Sequence, residues 1–299
     1  MNVKFFDTRA AGFLFALISA VTYGLNPFFA IPLYREGLSP LSVLFYRFLT
    51  ATLLMGGVML VQKQSFRLAR RYWLYTVYGG VLVALTCLFW FMTFHIMDSG
   101  VAATLLFIYP VMVVGIMYFC YHERLSTGMV IGIILALIGV VTLCLPGGES
   151  KISFWGLLYI FLSSLCFAVY LIMVQRSRLQ ELRSDVLTFY AMLFSLPVFW
   201  AALRFGVDLQ RLPSWNAVGN ILGLGIFPSV CSFLFAAMAI DRIGPTRTSV
   251  LGALEPTTAV LIGVFFFHES LTWLQIGGVV LILVAVSIVI CAKKQPAKK

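Results

Sequence analysis

Ten runs of roughly twenty mainly apolar residues follow one another along this chain with only short connections between them. That pattern constrains the fold more than any other feature of the sequence. A helix needs about 20 such residues to cross about 30 Å of hydrocarbon. The runs fall at roughly 11–34, 40–62, 72–94, 99–119, 125–145, 153–174, 186–203, 215–239, 244–267 and 271–291. Apolar residues make up 61% of the chain and charged residues 11%, far below the quarter typical of soluble domains. The expected fold class is therefore all-α, a polytopic membrane protein of ten transmembrane helices. A β-barrel would alternate apolar and polar residues along short strands, and these runs do not alternate. The first run is longer than the apolar core of a signal peptide and reads as an uncleaved helix.

The net charge of +10 would fit a nucleic-acid partner if the basic residues were clustered, but they are sorted by side instead. The N-terminus, the even-numbered connections and the C-terminus carry fifteen Lys and Arg. The other face carries Arg35, Lys151, Arg204 and Arg211, while Arg47 and Arg247 lie inside runs. The positive-inside rule then puts both termini in the cytoplasm and removes the need for a nucleic-acid partner. The six cysteines stand singly in or beside apolar runs, with no Cys-x-x-Cys pair, so neither disulfides nor a metal cluster is expected.

The second half of the chain repeats the first. Pro110, His122-Glu123 and Leu125 match Pro256, His268-Glu269 and Leu271 at a constant offset of 146, while Gly12, Ser19 and Tyr46 match Gly156, Ser163 and Tyr190 at 144. The expected units are residues 1–147 and 148–299. Each holds five spans, an odd number, so the second enters the membrane from the opposite side. Two inverted five-helix repeats are a recurrent transporter architecture, because one unit in two packings supplies states open to opposite sides at similar energy.

The same residues resemble the EamA-type ten-helix branch of the drug/metabolite transporter superfamily. The similarity rests on Phe45-Tyr46-Arg47-Phe48 early in the second span, the proline inside the fourth, Leu254-Glu255-Pro256 in the ninth, and Glu-x-Leu at the turns after the fourth and ninth (Glu123-Arg124-Leu125, Glu269-Ser270-Leu271). At both turns His stands where Gly is commoner before the glutamate. The resemblance covers the whole chain. It implies a permease or exporter in the plasma membrane, here a bacterial inner membrane, carrying a small metabolite such as an amino acid or amphipathic compound. It does not fix the cargo.

Ionisable residues inside hydrocarbon cost about 2.5 to 3.5 kcal/mol or more unless they face a partner or a wet cavity, so they mark candidate pathways. Arg47 lies about seven residues into the second span. It either meets an anionic group of the substrate, such as a carboxylate, or caps carbonyls of a neighbouring helix. Glu255 lies near the middle of the ninth span. Low-dielectric surroundings there favour its neutral form and permit proton coupling, whereas a place beside Arg47 would keep it ionised as a structural or gating partner. Arg247 is one turn from the end of the same span and reads as an anchor that lifts its charge to the headgroups.

Asn26-Pro27 and Pro32 interrupt the first span, Pro110 the fourth and Pro256 the ninth, so broken helices are expected along the path. Tyr23, Tyr46, Trp90, Tyr109, Phe167 and Tyr190 place aromatic groups inside spans, where they either line a cavity or pack. Of these, Tyr46 and Tyr190 are the better candidates for lining, because they occupy equivalent repeat positions and carry polar tips. Gly132, Gly139, Gly277 and Gly278 suit the fifth and tenth spans to close packing at the edge, leaving spans one to four and six to nine around a central cavity.

No catalytic residue, metal site or cofactor is expected. His122-Glu123 and His268-Glu269 lack the second histidine of a zinc protease motif, and no phosphate-binding loop is present for ATP hydrolysis. Two other classes stay open on sequence alone. A membrane enzyme acting on lipid-linked substrates would need acids or histidines gathered near one leaflet, and a receptor or scaffold would conduct no solute. Direction, energy coupling and oligomeric state are not fixed by these residues.

Overall fold

The computed structural model describes residues 8–93, 105–144, 153–267 and 272–292, which among themselves contain helices and no strand. Nine of the expected spans are present over nearly their whole length, within a few residues of the expected bounds. They are Arg9–Gly24 with Asn26–Arg35 (first), Pro40–Val61 (second), Arg70–Thr93 (third), Thr127–Cys144 (fifth), Phe154–Arg176 (sixth) and Ser184–Ala202 (seventh). Then follow Trp215–Leu224 with Ser232–Ile243 (eighth), Pro245–Leu251 with Leu254–Phe267 (ninth) and Trp273–Cys291 (tenth). The fourth is described from residue 105 and runs as a helix over Tyr109–Phe119. The repeat boundary expected at 147/148 and the second His-Glu turn lie outside the described residues.

The packing repeats when the two halves are exchanged. The third span lies along the sixth as the eighth lies along the first, the fourth meets the sixth as the ninth meets the first, and the fifth pairs with the tenth. Individual contacts obey the same exchange. Ser19 Oγ donates to the Ser232 carbonyl at 2.9 Å, and its equivalent Ser163 Oγ donates to the Thr86 carbonyl at 2.7 Å. A methyl group at Gly80 of the third span would lie 2.5 Å from Phe194 Cβ of the seventh, and one at Gly225 of the eighth would lie 2.5 Å from Thr50 Cγ2 of the second. Lipid offers no hydrophobic drive between helices, so such small-residue crossings and short hydrogen bonds hold the bundle together. The fifth and tenth spans follow the same rule: a methyl at Gly139 would press to 3.0 Å from the Gly278 carbonyl.

Prolines break the helices at three of the expected places and at one not foreseen, whereas Pro32, expected to interrupt the first span, lies within the continuous helix Asn26–Arg35. Pro27 is an opening residue of Asn26–Arg35, Pro110 of Tyr109–Phe119, and Pro256 stands in the first turn of Leu254–Phe267. A first-turn position tolerates the missing N–H, so each half-helix restarts at its proline. Turns at residues 107–108 and 252–253 put the breaks of the fourth and ninth spans at matching places in the two halves. The eighth span is not the simple helix expected. Around Pro228 it widens into a π turn over Gly225–Cys231 and then continues to Ile243. The start of the first span meets the end of the tenth, where Arg9 donates to the carbonyl of Ala292 at 2.8 Å.

Candidate functional site

The broken stretches of the first, fourth and ninth spans meet the sixth and eighth around one central chamber. Its walls carry Tyr23, Ser19 and Ala16 from the first span, Tyr109 from the fourth, and Phe167 and Tyr170 from the sixth. Ser232 and Phe233 come from the eighth span, and Thr248, Ser249, Gly252 and Glu255 from the ninth. The cavity is about 40 Å³, wide enough for water and too small for an organic metabolite in this conformation.

Glu255 is half-buried, with the chamber in front of it. Among the described residues no hydrogen bond or ion pair engages its carboxylate. The ion pairs found there, Arg71 with Glu181, Arg183 with Asp185 and Arg204 with Asp208, are all at or beyond the span ends. Gly252, one turn earlier, has no side chain because there is no room for one: a Cβ would lie 3.3 Å from Glu255 Oε1 and on top of the Tyr109 hydroxyl. Tyr109 stands at the repeat position equivalent to Glu255. It donates to the Ser249 carbonyl at 3.2 Å and meets the Phe167 ring edge-on at 4.8 Å.

Arg47 is not beside Glu255. It is 4% exposed and every kind of nitrogen it has is engaged: Nε donates to Ser229 Oγ at 2.7 Å, Nη1 to Asn26 Oδ1 at 2.9 Å and Nη2 to the Pro228 carbonyl at 3.1 Å. Ser229 passes its own hydroxyl hydrogen to the Leu224 carbonyl at 2.9 Å. That carbonyl loses its α-helical donor because residue 228 is proline. Asn26 caps the break in the first span by donating to the Tyr23 carbonyl at 2.8 Å. Of the two readings open for Arg47, the geometry presents the one in which it caps neighbouring backbone. The guanidinium lies over the Tyr23 ring at 5.5 Å, so Tyr23 separates this knot from the chamber.

The other residues singled out in the sequence are dispersed. Tyr46 and Tyr190 do not line the chamber. Each ties a loop to the end of a span: Tyr46 Oη donates to the Gln210 carbonyl at 2.8 Å, and Tyr190 Oη to the Phe66 carbonyl at 2.6 Å. Trp90 is near the end of the third span, outside the chamber wall. Arg247 is buried rather than lifted to the surface. It donates to the Ala292 carbonyl at 3.2 Å, capping the negative end of the tenth span. Glu123, of the first His-Glu turn, accepts from Thr246 at 3.0 Å, a contact between spans and not a metal site. Among the described residues no cluster of His, Cys, Asp and Glu could hold a metal. Sequence reasoning missed Tyr170, Phe233, Gly252 and the Pro228-Ser229 turn. The proline in an apolar run was the available signal for the last.

Ten spans in two inverted five-helix repeats, packed around a largely apolar chamber that bears one carboxylate among its described residues, define a membrane transport fold. The sequence profile of the EamA-like transporter family matches residues 10–145 and again 154–291, so the chain belongs to that family. It is 26% identical over 280 residues to an uncharacterized transporter of Archaeoglobus fulgidus, covering 92% of this chain and 97% of the relative. It is 23% identical over 284 residues to the uncharacterized transporter YcbK of Bacillus subtilis, covering 90% and 89%. A crystal structure 17% identical in sequence shares the fold with a TM-score of 0.83 over 94% of this chain and 96% of that one.

Proposed function

We propose that the chain is a secondary transporter that exports a small metabolite by alternating access through the central chamber, driven by a solute or proton gradient. Both termini then face the cytoplasm, a reading supported by the fifteen-to-four distribution of basic residues, and the family resemblance suggests a bacterial inner membrane. Glu255 is the one carboxylate among the described residues of the chamber wall and the group through which a proton gradient would act.

One observation supports this reading: equivalent tyrosines of the two repeats tie down loops at opposite faces, where they would act as latches on the chamber. Tyr46 reaches the Gln210 carbonyl on the face away from Arg9 and Ala292, and Tyr190 reaches the Phe66 carbonyl on the face that holds them. Both partners of the second latch are 144 residues from those of the first. Supporting contacts surround each latch. Glu36 accepts from Ser214 at 2.6 Å and Asn216 at 2.9 Å on one face, while Asp185 accepts from Gln64 at 2.7 Å and Arg183 at 2.9 Å on the other. Two closures of the same kind, one per repeat, have similar energies, which is what a cycle opening each in turn needs.

Purified protein in sealed liposomes, given labelled amino acids and organic cations with and without a pH gradient, is expected to show flux above empty vesicles. Tyr46→Phe and Tyr190→Phe each remove one hydrogen bond, a net effect of about 1 kcal/mol or about fivefold in the opening equilibrium. Accessibility of a cysteine introduced in the chamber wall, as in Ala16→Cys, is expected to rise about fivefold from the face away from Arg9 and Ala292 in Tyr46→Phe and from the opposite face in Tyr190→Phe. Equal labelling from both faces in both variants would refute the latch assignment. Absence of flux for every solute would favour a receptor or scaffold.

A further inference from the structure

The chamber's chemistry has one sign throughout. Among the described residues its wall contains a carboxylate with no partner and contains no Lys, Arg or His. Arg47, which lies behind Tyr23, directs three of its five N–H donors to Ser229, Asn26 and Pro228. The hydroxyls are also spoken for in one sense only. Ser19 donates to the Ser232 carbonyl, which leaves the 3.3 Å contact between their hydroxyls to a hydrogen from Ser232. Thr248 donates to the Gly244 carbonyl at 2.9 Å, Ser249 to that of Thr246 at 2.9 Å, and Tyr109 to that of Ser249. Five of the seven hydroxyls lining the chamber have therefore spent their hydrogen on the protein and can offer cargo only lone pairs. The remaining surface is largely aromatic, and ring faces are electron-rich.

We propose that the chamber takes cargo bearing a positively charged amine, its ammonium donating to Glu255 and to the hydroxyl lone pairs while the aromatic walls hold its organic body. Such a group supplies both the charge and the N–H donors that the wall lacks. A carboxylate would meet Glu255 with no countercharge. A small divalent cation needs six or more oxygen ligands, usually several of them carboxylates, and aromatic walls favour large, weakly hydrated cations instead. This assignment concerns the same chamber as the transport reading and rests on it for the cargo's fate, but ammonium binding can be measured without flux.

The test uses full-length protein in detergent and three probes on one skeleton: phenethylammonium, 3-phenylpropionate and zwitterionic phenylalanine, with affinity read by calorimetry. Phenethylammonium is expected to bind at least about tenfold more tightly than 3-phenylpropionate. Glu255→Gln is expected to weaken the cation about tenfold or more, as for loss of a hydrogen bond to a charged group. Phe167→Leu, which removes a ring face, is expected to weaken it about fivefold with the anion unmoved. Melting curves identify any variant that fails to fold, and Glu255→Asp, which keeps the charge, should retain more affinity than Glu255→Gln. Binding of 3-phenylpropionate as tight as that of the cation, binding by none of the probes, or cation affinity untouched in Glu255→Gln would each overturn the proposal. Liposome flux separates the two readings. Cation binding with no flux of any probe removes the transporter and keeps the amine site, whereas flux of the anion alone does the reverse.

Discussion

Arg47→Ala is expected to lower the unfolding free energy by about 3 kcal/mol or more, measured by thermal or denaturant unfolding of the detergent-solubilised protein. The residue is buried, and its three hydrogen bonds go to acceptors that exist because helices are broken around it. Asn26 stands at the restart of the first span. The Pro228 carbonyl and the Ser229 hydroxyl belong to the π turn of the eighth. Hydrogen bonds from a charged donor contribute about 1.5 to 3 kcal/mol each, so three of them exceed the stated loss even after partial relaxation. Arg47→Lys should fall between wild type and Ala, because one ammonium cannot hold the forked arrangement of a guanidinium. If Arg47 instead captured a substrate carboxylate, Arg47→Ala would unfold like wild type and lose affinity for anions selectively. That pair of results would remove the structural role argued for it.

What the sequence shows and hides follows from the solvent. Depth along a span is legible, because length, charged ends and prolines mark it: Pro27, Pro110 and Pro256 stand where half-helices restart. The repeat is legible for the same reason, since Ser19 and Ser163 keep both their register and their hydrogen bonds. The direction a residue faces around its helix is far less legible. In water an apolar stripe marks the buried face, but lipid makes both faces apolar and erases the stripe. Tyr46 and Tyr190 therefore read as chamber residues from depth and polarity, yet they turn to loop carbonyls at opposite faces. Arg47 was ambiguous for a related reason: its partners Pro228 and Ser229 lie about 180 residues away and depend on a π turn that hydropathy does not announce. Glu255 stands out in the sequence because a carboxylate at midplane depth is costly wherever it faces.

The repeat explains the scaffold, and departures from it give the site its chemistry. Equivalent latches, serines and glycine crossings hold the two halves in matched packing, while Glu255 faces Tyr109 across the pseudo-symmetry and Arg47 has Ala191 as its counterpart. A strictly symmetric chamber would carry either two like charges or none. Divergence at these two positions leaves, among the described residues, a single carboxylate in the chamber wall and a guanidinium committed to the broken helices beside it.

The crossing that places Glu255 yields the other large effect. Gly24 ends the first half of the first span against the ninth. A methyl there would lie 2.5 Å from Thr258 Cβ and 2.7 Å from the Glu255 carbonyl oxygen. The second contact is with backbone, so no side-chain rotation relieves it. Gly24→Ala must push the first and ninth spans apart where they wall the chamber, at a cost of about 2 to 3 kcal/mol for overpacking, and Gly24→Leu should prevent stable folding. Gly57 provides the matched control: it lies within the helix Pro40–Val61, and a methyl there meets nothing within 4 Å. Gly57→Ala should be neutral or more stable by up to about 1 kcal/mol, from helix propensity alone. Melting temperatures of the two alanine variants decide the matter. Equal values would mean that the first and ninth spans do not cross in contact at Gly24, and the chamber as described could not then form.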